Sequence, residues 1–287
     1  MTVTIWEGVS IFDELVFSYY SAHNTHKSLW QDGREQAVLN HILHHPKADH
    51  LRGKPEAVIA EIDRWVNEKN LCMMTIGPDR SRPVVDLIHE AKPHIMGELG
   101  CYIGYSAIMF GNEARQAGGK QYLSLEYNPE YAAVAQGLVD FAGLGDFVRI
   151  LVGPSSDSLQ KLVAGKQLSF DVLFIDHTED LYLPDLRFCE QHGLLKKGSF
   201  VAADNVRGHR AKEYVNWINH QGQLTGESYA SKSFSYALPD GFQVGCFISY
   251  WWFSYIHSNM SLQDAIMITK KIWIFFFFFF LKFAVYL

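Results

Sequence analysis

The stretch Ile95-Met96-Gly97-Glu98-Leu99-Gly100-Cys101-Tyr102-Ile103-Gly104-Tyr105-Ser106 decides how the chain is read. A short apolar run stops at a glycine turn, and residues 107–117 then take up helical periodicity. Gly100 and Gly104 permit a tight turn and let a ligand approach the backbone. The spacing is Gly-x-x-x-Gly, not the Gly-x-Gly-x-x-Gly of pyrophosphate binders, so a nicotinamide dinucleotide is not the expected ligand. Taken alone, the motif also suits a plain strand–helix turn.

Outward from this stretch the pattern repeats. Residues 121–125, 148–152, 170–175 and 200–203 read as strands. Residues 130–142, 156–163 and 184–191 between them read as helices. Such alternation means βαβ units and a parallel sheet. Upstream, residues 36–43 form one helix that Pro46 ends, and Lys54-Pro55-Glu56 opens another. On the second, Val58, Ile59, Ile62, Trp65 and Val66 share a face. Downstream, residues 231–238 and 242–250 read as an antiparallel hairpin around Pro239-Asp240-Gly241.

A parallel sheet binds ligands at the carboxyl ends of its strands, so the residue that ends each run carries the functional reading. The second run ends in Glu126, 22 residues after Gly104. An acid there can accept hydrogen bonds from both ribose hydroxyls, which with the glycine turn points to an adenosine-bearing cofactor. At the third, Ser155 or Ser156 contacts an adenine edge or caps the next helix. The fourth ends in Asp176-His177 and the fifth in Asp204-Asn205. Two carboxylates and an amide oxygen at adjacent strand ends are hard ligands, the set that Mg²⁺ takes while keeping positions open for substrate or water.

Composition bounds the alternatives. With 287 residues, 48% hydrophobic and 20% charged, the chain is neither disordered nor fibrous. A net charge of -6 argues against a nucleic-acid partner. Cys72, Cys101, Cys189 and Cys246 have no metal or framework spacing, so free thiols in a reducing cytoplasm are expected. Cys101 has no paired His to make it a nucleophile. His41, His44 and His45 stand at helical metal spacing without an accompanying carboxylate or Cys, and a solvated helix face is the expectation. Lys196-Lys197-Gly198 reads as a solvated turn before a strand.

The ends differ from the middle. Residues 1–30 read as an N-terminal extension that packs on the body, without the basic start of a secretory signal. Residues 242–287 hold 16 of the 41 aromatics, including an unbroken run of six Phe from Phe275. Residues 272–287 fall short of the roughly 20 apolar residues a spanning helix needs. Two readings stand: a marginal tail anchor giving membrane association, or translated non-coding sequence. The functional domain is placed at 31–250 and the tail at 251–287.

The assembled residues resemble the catechol O-methyltransferase family. The resemblance rests on Glu98-Leu99-Gly100-Cys101-Tyr102-Ile103-Gly104-Tyr105-Ser106, on Phe141-Ala142-Gly143-Leu144, and on Asp176-His177 with Tyr182-Leu183-Pro184-Asp185. Gly193-Leu194-Leu195-Lys196-Lys197-Gly198 leading to Ala203-Asp204-Asn205-Val206 extends it, over about residues 31–241. It implies an α/β, single-domain Rossmann-like class I methyltransferase fold: a mostly parallel seven-strand sheet, helices on both faces and an antiparallel final hairpin. It further implies S-adenosyl-L-methionine, Mg²⁺, a catechol or related phenolic substrate, and a monomer. Met74, Ile76, Glu98, Gly100, Tyr102, Ser106, Glu126, Ser155, Asp176 and His177 would surround the cofactor. Asp176, Asp204 and Asn205 would hold the metal.

The chain departs from the family where the proton is taken. After Asp-His the family has an aromatic and then a lysine, the general base; here Thr178 and Glu179 stand there. Cys72 replaces the tryptophan that walls the substrate, and residues 231–236 offer no counterpart to the substrate-binding glutamate. Glu179 is the catalytic candidate by position, though with a free pKa of about 4.3 it is a poor base unless burial raises it. The expectation is a weak or substrate-shifted catechol O-methyltransferase. The alternative is a degenerate S-adenosylmethionine-binding protein.

Overall fold

The structure is a computed structural model that describes residues 32–71, 73–165, 168–206, 209–220, 227–237 and 243–253. The extension at 1–30, Cys72 and the tail beyond 253 lie outside these residues. Compact units divide the chain after Trp252.

Four helices precede the sheet: α1 (Arg34–Leu43), α2 (Ala48–Leu51), α3 (Pro55–Glu68) and α4 (Gly77–Ala91). Pro55 sits in the first turn of α3, where a missing N–H costs nothing. On α3, Val58, Ile59 and Ile62 are buried as their spacing requires, and Trp65 and Val66 pack at the margin. Helix α4 has no clear signal in the local sequence. Pro78 sits in its first turn, where proline is tolerated, but Pro83 looks like a helix breaker and yet lies inside the helix.

The alternating segment gives β1 (Ile95–Leu99), α5 (Tyr105–Gln116), β2 (Gln121–Glu126), α6 (Pro129–Phe141), β3 (Val148–Val152), α7 (Ser155–Ala164) and β4 (Phe170–Ile175). Then follow α8 (Tyr182–Gln191), β5 (Leu195–Ala203), α9 (Lys212–His220), β6 (Glu227–Ala237) and β7 (Gln243–Phe253). The strands form one seven-stranded sheet in the order β3-β2-β1-β4-β5-β7-β6. The pairs β1–β2, β2–β3, β1–β4 and β4–β5 are parallel, and β7 runs antiparallel to β5. The expected fold class is the observed one.

Side chains alternate across the sheet with period two. Met96, Tyr122, Val148, Val172, Phe174 and Ala202 pack with α1, α3, α4, α5 and α6. Leu99, Leu123, Leu125, Leu173, Ile175, Val201 and Ala203 pack with α7, α8 and α9. Strand order reverses between β1 and β4, so their carboxyl ends flank the crevice where such sheets bind ligands.

Two details correct the reading of the sequence. Lys196-Lys197-Gly198 does not precede β5 but lies within it, as an irregularity: Phe170 pairs with Leu195 whereas Val172 pairs with Phe200. The last two strands are also longer than expected, each 11 residues. Among the described residues no helix is long and apolar enough to cross a membrane.

Candidate active site

Backbone close approach builds the crevice first. Gly100 has φ +96, and a Cβ there would come within 2.3 Å of the Asp176 carbonyl oxygen. The glycine turn therefore lies directly against the end of β4, and only glycine fits. Gly104, with φ +84, starts α5. Between them Tyr102 also takes a left-handed φ of 48, an unfavourable conformation for an aromatic residue.

Glu126 holds that conformation. Its Oε2 accepts from the Tyr102 N–H at 2.7 Å and the Cys101 N–H at 3.1 Å, and its Oε1 from the Asn128 N–H at 2.8 Å. Burial nonetheless raises its pKa. The side chain of Tyr102 is fixed as well: its hydroxyl donates to Glu35 Oε1 at 2.7 Å and its ring meets Tyr131 edge to face. Glu35 is buried on α1 and was not singled out in the sequence, because 67 residues separate it from Tyr102.

Glu98, at the end of β1, is completely buried. It accepts a hydrogen bond from Ser124 Oγ, its Oε1 has no partner, and burial raises its pKa to about 7. Ile76 and Ser106 are buried, whereas Met74 is exposed. Ser155 and Ser156 do not cap α7 with their side chains, so the capping alternative fails; Pro154 occupies the cap position.

The fourth and fifth strand ends sit side by side, because Ile175 pairs with Ala203. Asp204 is 1% exposed. Its Oδ2 accepts from Arg80 Nη1 at 2.9 Å and its Oδ1 has no partner. Burial raises the pKa of Asp204, with Arg80 opposing. Burial also pushes Asp176 well up, and the neighbouring charge of Asp204 pushes it further. Asn205 follows with φ 55, a left-handed conformation that Asn tolerates, and is exposed.

Arg80 was not expected here. Its guanidinium also donates to the carbonyls of Thr75 at 2.7 Å and Ile76 at 2.9 Å, tying the segment before α4 to the end of β5. The contact spans 124 residues, and nothing local to Arg80 announces it.

His177 stacks on Tyr182 and hydrogen-bonds Asp185 through Nε2 at 2.9 Å; its Nδ1 has no partner. Glu179 lies in a short 3-10 turn, its Oε2 3.3 Å from Arg210 Nη1. Arg210 also pairs with Asp180 at 2.8 Å. A cavity of about 490 Å³ adjoins this pair, lined by Glu179, Asp180, Leu183, Arg210, Glu213 and Tyr214. The lysine's place is thus taken by an acid already engaged with a cation.

The sequence profile of the O-methyltransferase family matches residues 51–213, more than half of the chain. The chain belongs to that family. Bovine catechol O-methyltransferase is 34% identical over 204 residues, which span 71% of this chain and 72% of the bovine protein. The human transmembrane O-methyltransferase is 30% identical over 208 residues, 72% of this chain and 67% of that protein. This O-methyltransferase is a divergent relative of the catechol enzymes. In structure it resembles the O-methyltransferase from Bacillus cereus in complex with SAH, with a TM-score of 0.54 and 18% identity. That match covers 82% of this chain and 97% of the other. The Streptomyces achromogenes O-methyltransferase of tomaymycin synthesis, in complex with SAM, gives 0.53 at 16% identity, over 82% of this chain and 96% of that one. Likeness at this identity establishes the shared fold.

Proposed function

We propose that this O-methyltransferase transfers the methyl group of S-adenosyl-L-methionine to one hydroxyl of a catechol-type small molecule in the presence of Mg²⁺. The observation that carries the reading is the pair Asp176 and Asp204 at adjacent strand ends. A buried carboxylate oxygen without a donor, Asp204 Oδ1, costs stability unless a cation or donor completes it. The donor set of two carboxylates and the Asn205 amide suits a hard divalent ion. When bound, Mg²⁺ supplies a Lewis acid that lowers the pKa of a phenolic hydroxyl.

The chain's own residues do the rest. Glu126, with three of about four acceptor sites in use, retains capacity for a ribose hydroxyl. Arg80 holds Asp204 by one oxygen and fixes the carbonyls of Thr75 and Ile76, so the cofactor wall and the metal ligand keep one geometry. Holding nucleophile and methyl donor in register is worth roughly 7–11 kcal/mol of barrier. Glu179, paired with Arg210, is a weak acceptor for the phenolic proton, and solvent takes the larger share. The proposed setting is cytoplasmic and monomeric, with any membrane contact through residues 272–287.

The test is a methylation assay over a panel of catechols with S-adenosylmethionine, with and without Mg²⁺. Product that depends on Mg²⁺ is expected, and so is a faster rate for Glu179→Lys. No product from any vicinal phenol would refute the reading. The Glu179–Arg210 pair favours a second reading, a degenerate S-adenosylmethionine-binding protein. Calorimetry separates the two, because that protein would bind cofactor without any Mg²⁺-linked catechol binding.

A further inference from the structure

We propose that His41, His45 and Glu61 form a second metal site, of the zinc class, which staples α1 to α3. His41 lies in the last turn of α1, His45 lies two residues past the end of that helix, and Glu61 lies on α3. His41 Nε2 is 2.6 Å from Glu61 Oε1, and His45 Nε2 is 3.3 Å from the same oxygen. All three ligand atoms fall within 4.8 Å of one another. The carboxylate that the sequence did not reveal beside the histidines comes from the neighbouring helix.

The arrangement is built rather than incidental. His41 stacks on Trp65 with ring centres 5.3 Å apart, which fixes the plane of its imidazole. His45 meets His41 edge-on at 5.3 Å, and both Nε2 atoms approach the same Glu61 oxygen. The three side chains are only 10–20% exposed. His44, between them in sequence, is exposed and turned away onto the Asn40 carbonyl at 3.0 Å. Arg64 donates to both oxygens of Glu61, from Nε to Oε2 at 2.8 Å and from Nη2 to Oε1. Arg64 is itself 45% exposed and also reaches Glu68, so it can release Glu61 Oε1 and keep Oε2.

Two imidazoles and one carboxylate are the ligands of Zn²⁺ sites with three protein ligands, and imidazole disfavours Mg²⁺. The two proposed sites therefore select different ions. The staple also bears on the cofactor crevice: α1 carries Glu35, which holds the Tyr102 hydroxyl. Metal at the staple would order the helix that supports the glycine turn.

The test uses the full-length chain stripped with a chelator and titrated with Zn²⁺ against a chromophoric competitor, in excess Mg²⁺ to saturate the hard oxygens. One equivalent should bind. An outer-shell partner already accounts for 10–100-fold in metal affinity, so His41→Ala and His45→Ala should each weaken binding by about 100-fold or more. His44→Ala and Asp204→Asn should leave binding unchanged. Substitution of the wild-type chain with Co²⁺ needs no variant to fold and should give the strong visible bands of a tetrahedral nitrogen–oxygen site. Absence of Zn²⁺ binding, affinity indifferent to both histidine substitutions, or only the weak bands of octahedral Co²⁺ would overturn the proposal.

Discussion

Strand β4 carries an aspartate near each end, and the two live under opposite conditions. Asp171, near the start, accepts from the N–H groups of His94 and Ile95 at 2.9 and 3.0 Å and pairs with Lys196 at 2.8 Å. Burial would raise its pKa, but Lys196 and the two amides outweigh burial and hold it below the usual range. Asp176, just past the other end, is pushed up by burial and again by Asp204. One carboxylate has a donor on each of its oxygens. The other belongs to a group, with Glu98 and Asp204, in which two oxygens have none. A fold that leaves carboxylates short of donors at the ligand-binding end of its sheet, and satisfies them at the opposite end, separates the part that binds from the part that holds.

Substitutions at the two ends should therefore fail in different assays. The largest effect is expected for Asp204→Asn: methyl transfer should fall by about 10²–10³-fold, the order of losing one preorganised electrostatic group. Its melting temperature should change little: a crowded buried charge is removed, and Arg80, which loses a charged partner, keeps its bonds to the carbonyls of Thr75 and Ile76. Calorimetry and initial rates on the same preparation check both. A large fall in stability would break the comparison.

Glu98→Gln comes next. The folded carboxyl titrates at about 7 against 4.5 for the free group. Between those values the native state holds a proton that the unfolded chain releases, so its stability contribution is complete below about 4.5 and lost as pH rises through 7. The glutamine variant should lack this slope. Relative to wild type it should gain up to about 3 kcal/mol between pH 4.5 and pH 8 in urea melts.

At the other end Asp171→Ala should cost about 1–3 kcal/mol of stability, since it strands the amides of His94 and Ile95. Turnover per folded molecule should stay within about twofold. Lys196→Ala should be smallest, within about 1 kcal/mol and shrinking with added salt, because that lysine is 55% exposed.

What the sequence makes legible follows the same division. Glu126 and the glycine turn could be paired from spacing, because consecutive strands of a βαβ unit are neighbours. Asp176 and Asp204 could be paired for the same reason, and seven strands emerged where seven were expected. Contacts that join distant segments left no local trace. Arg80 reaches Asp204 across 124 residues, Tyr102 reaches Glu35 across 67, and Arg210 reaches Asp180, next to Glu179, across 30. Even Glu61, only 20 residues from His41, was invisible, because the angle between two helices is not written in either. Helix α4 left no clear trace because Pro83 weighs locally against a helix that tertiary packing nonetheless maintains.

The antiparallel pairing of β7 with β5 sets Phe247 opposite Ala203, the residue before Asp204. Aromatic enrichment begins at Phe242, so composition would draw a boundary just ahead of β7. Shortening the chain at that boundary would strip β5 of its neighbour on one side and bare a row of backbone donors and acceptors. Such an edge recruits other chains, and the cut protein is expected to precipitate rather than report on the tail. Any trimmed version for crystallisation or assay should keep every residue through Phe253.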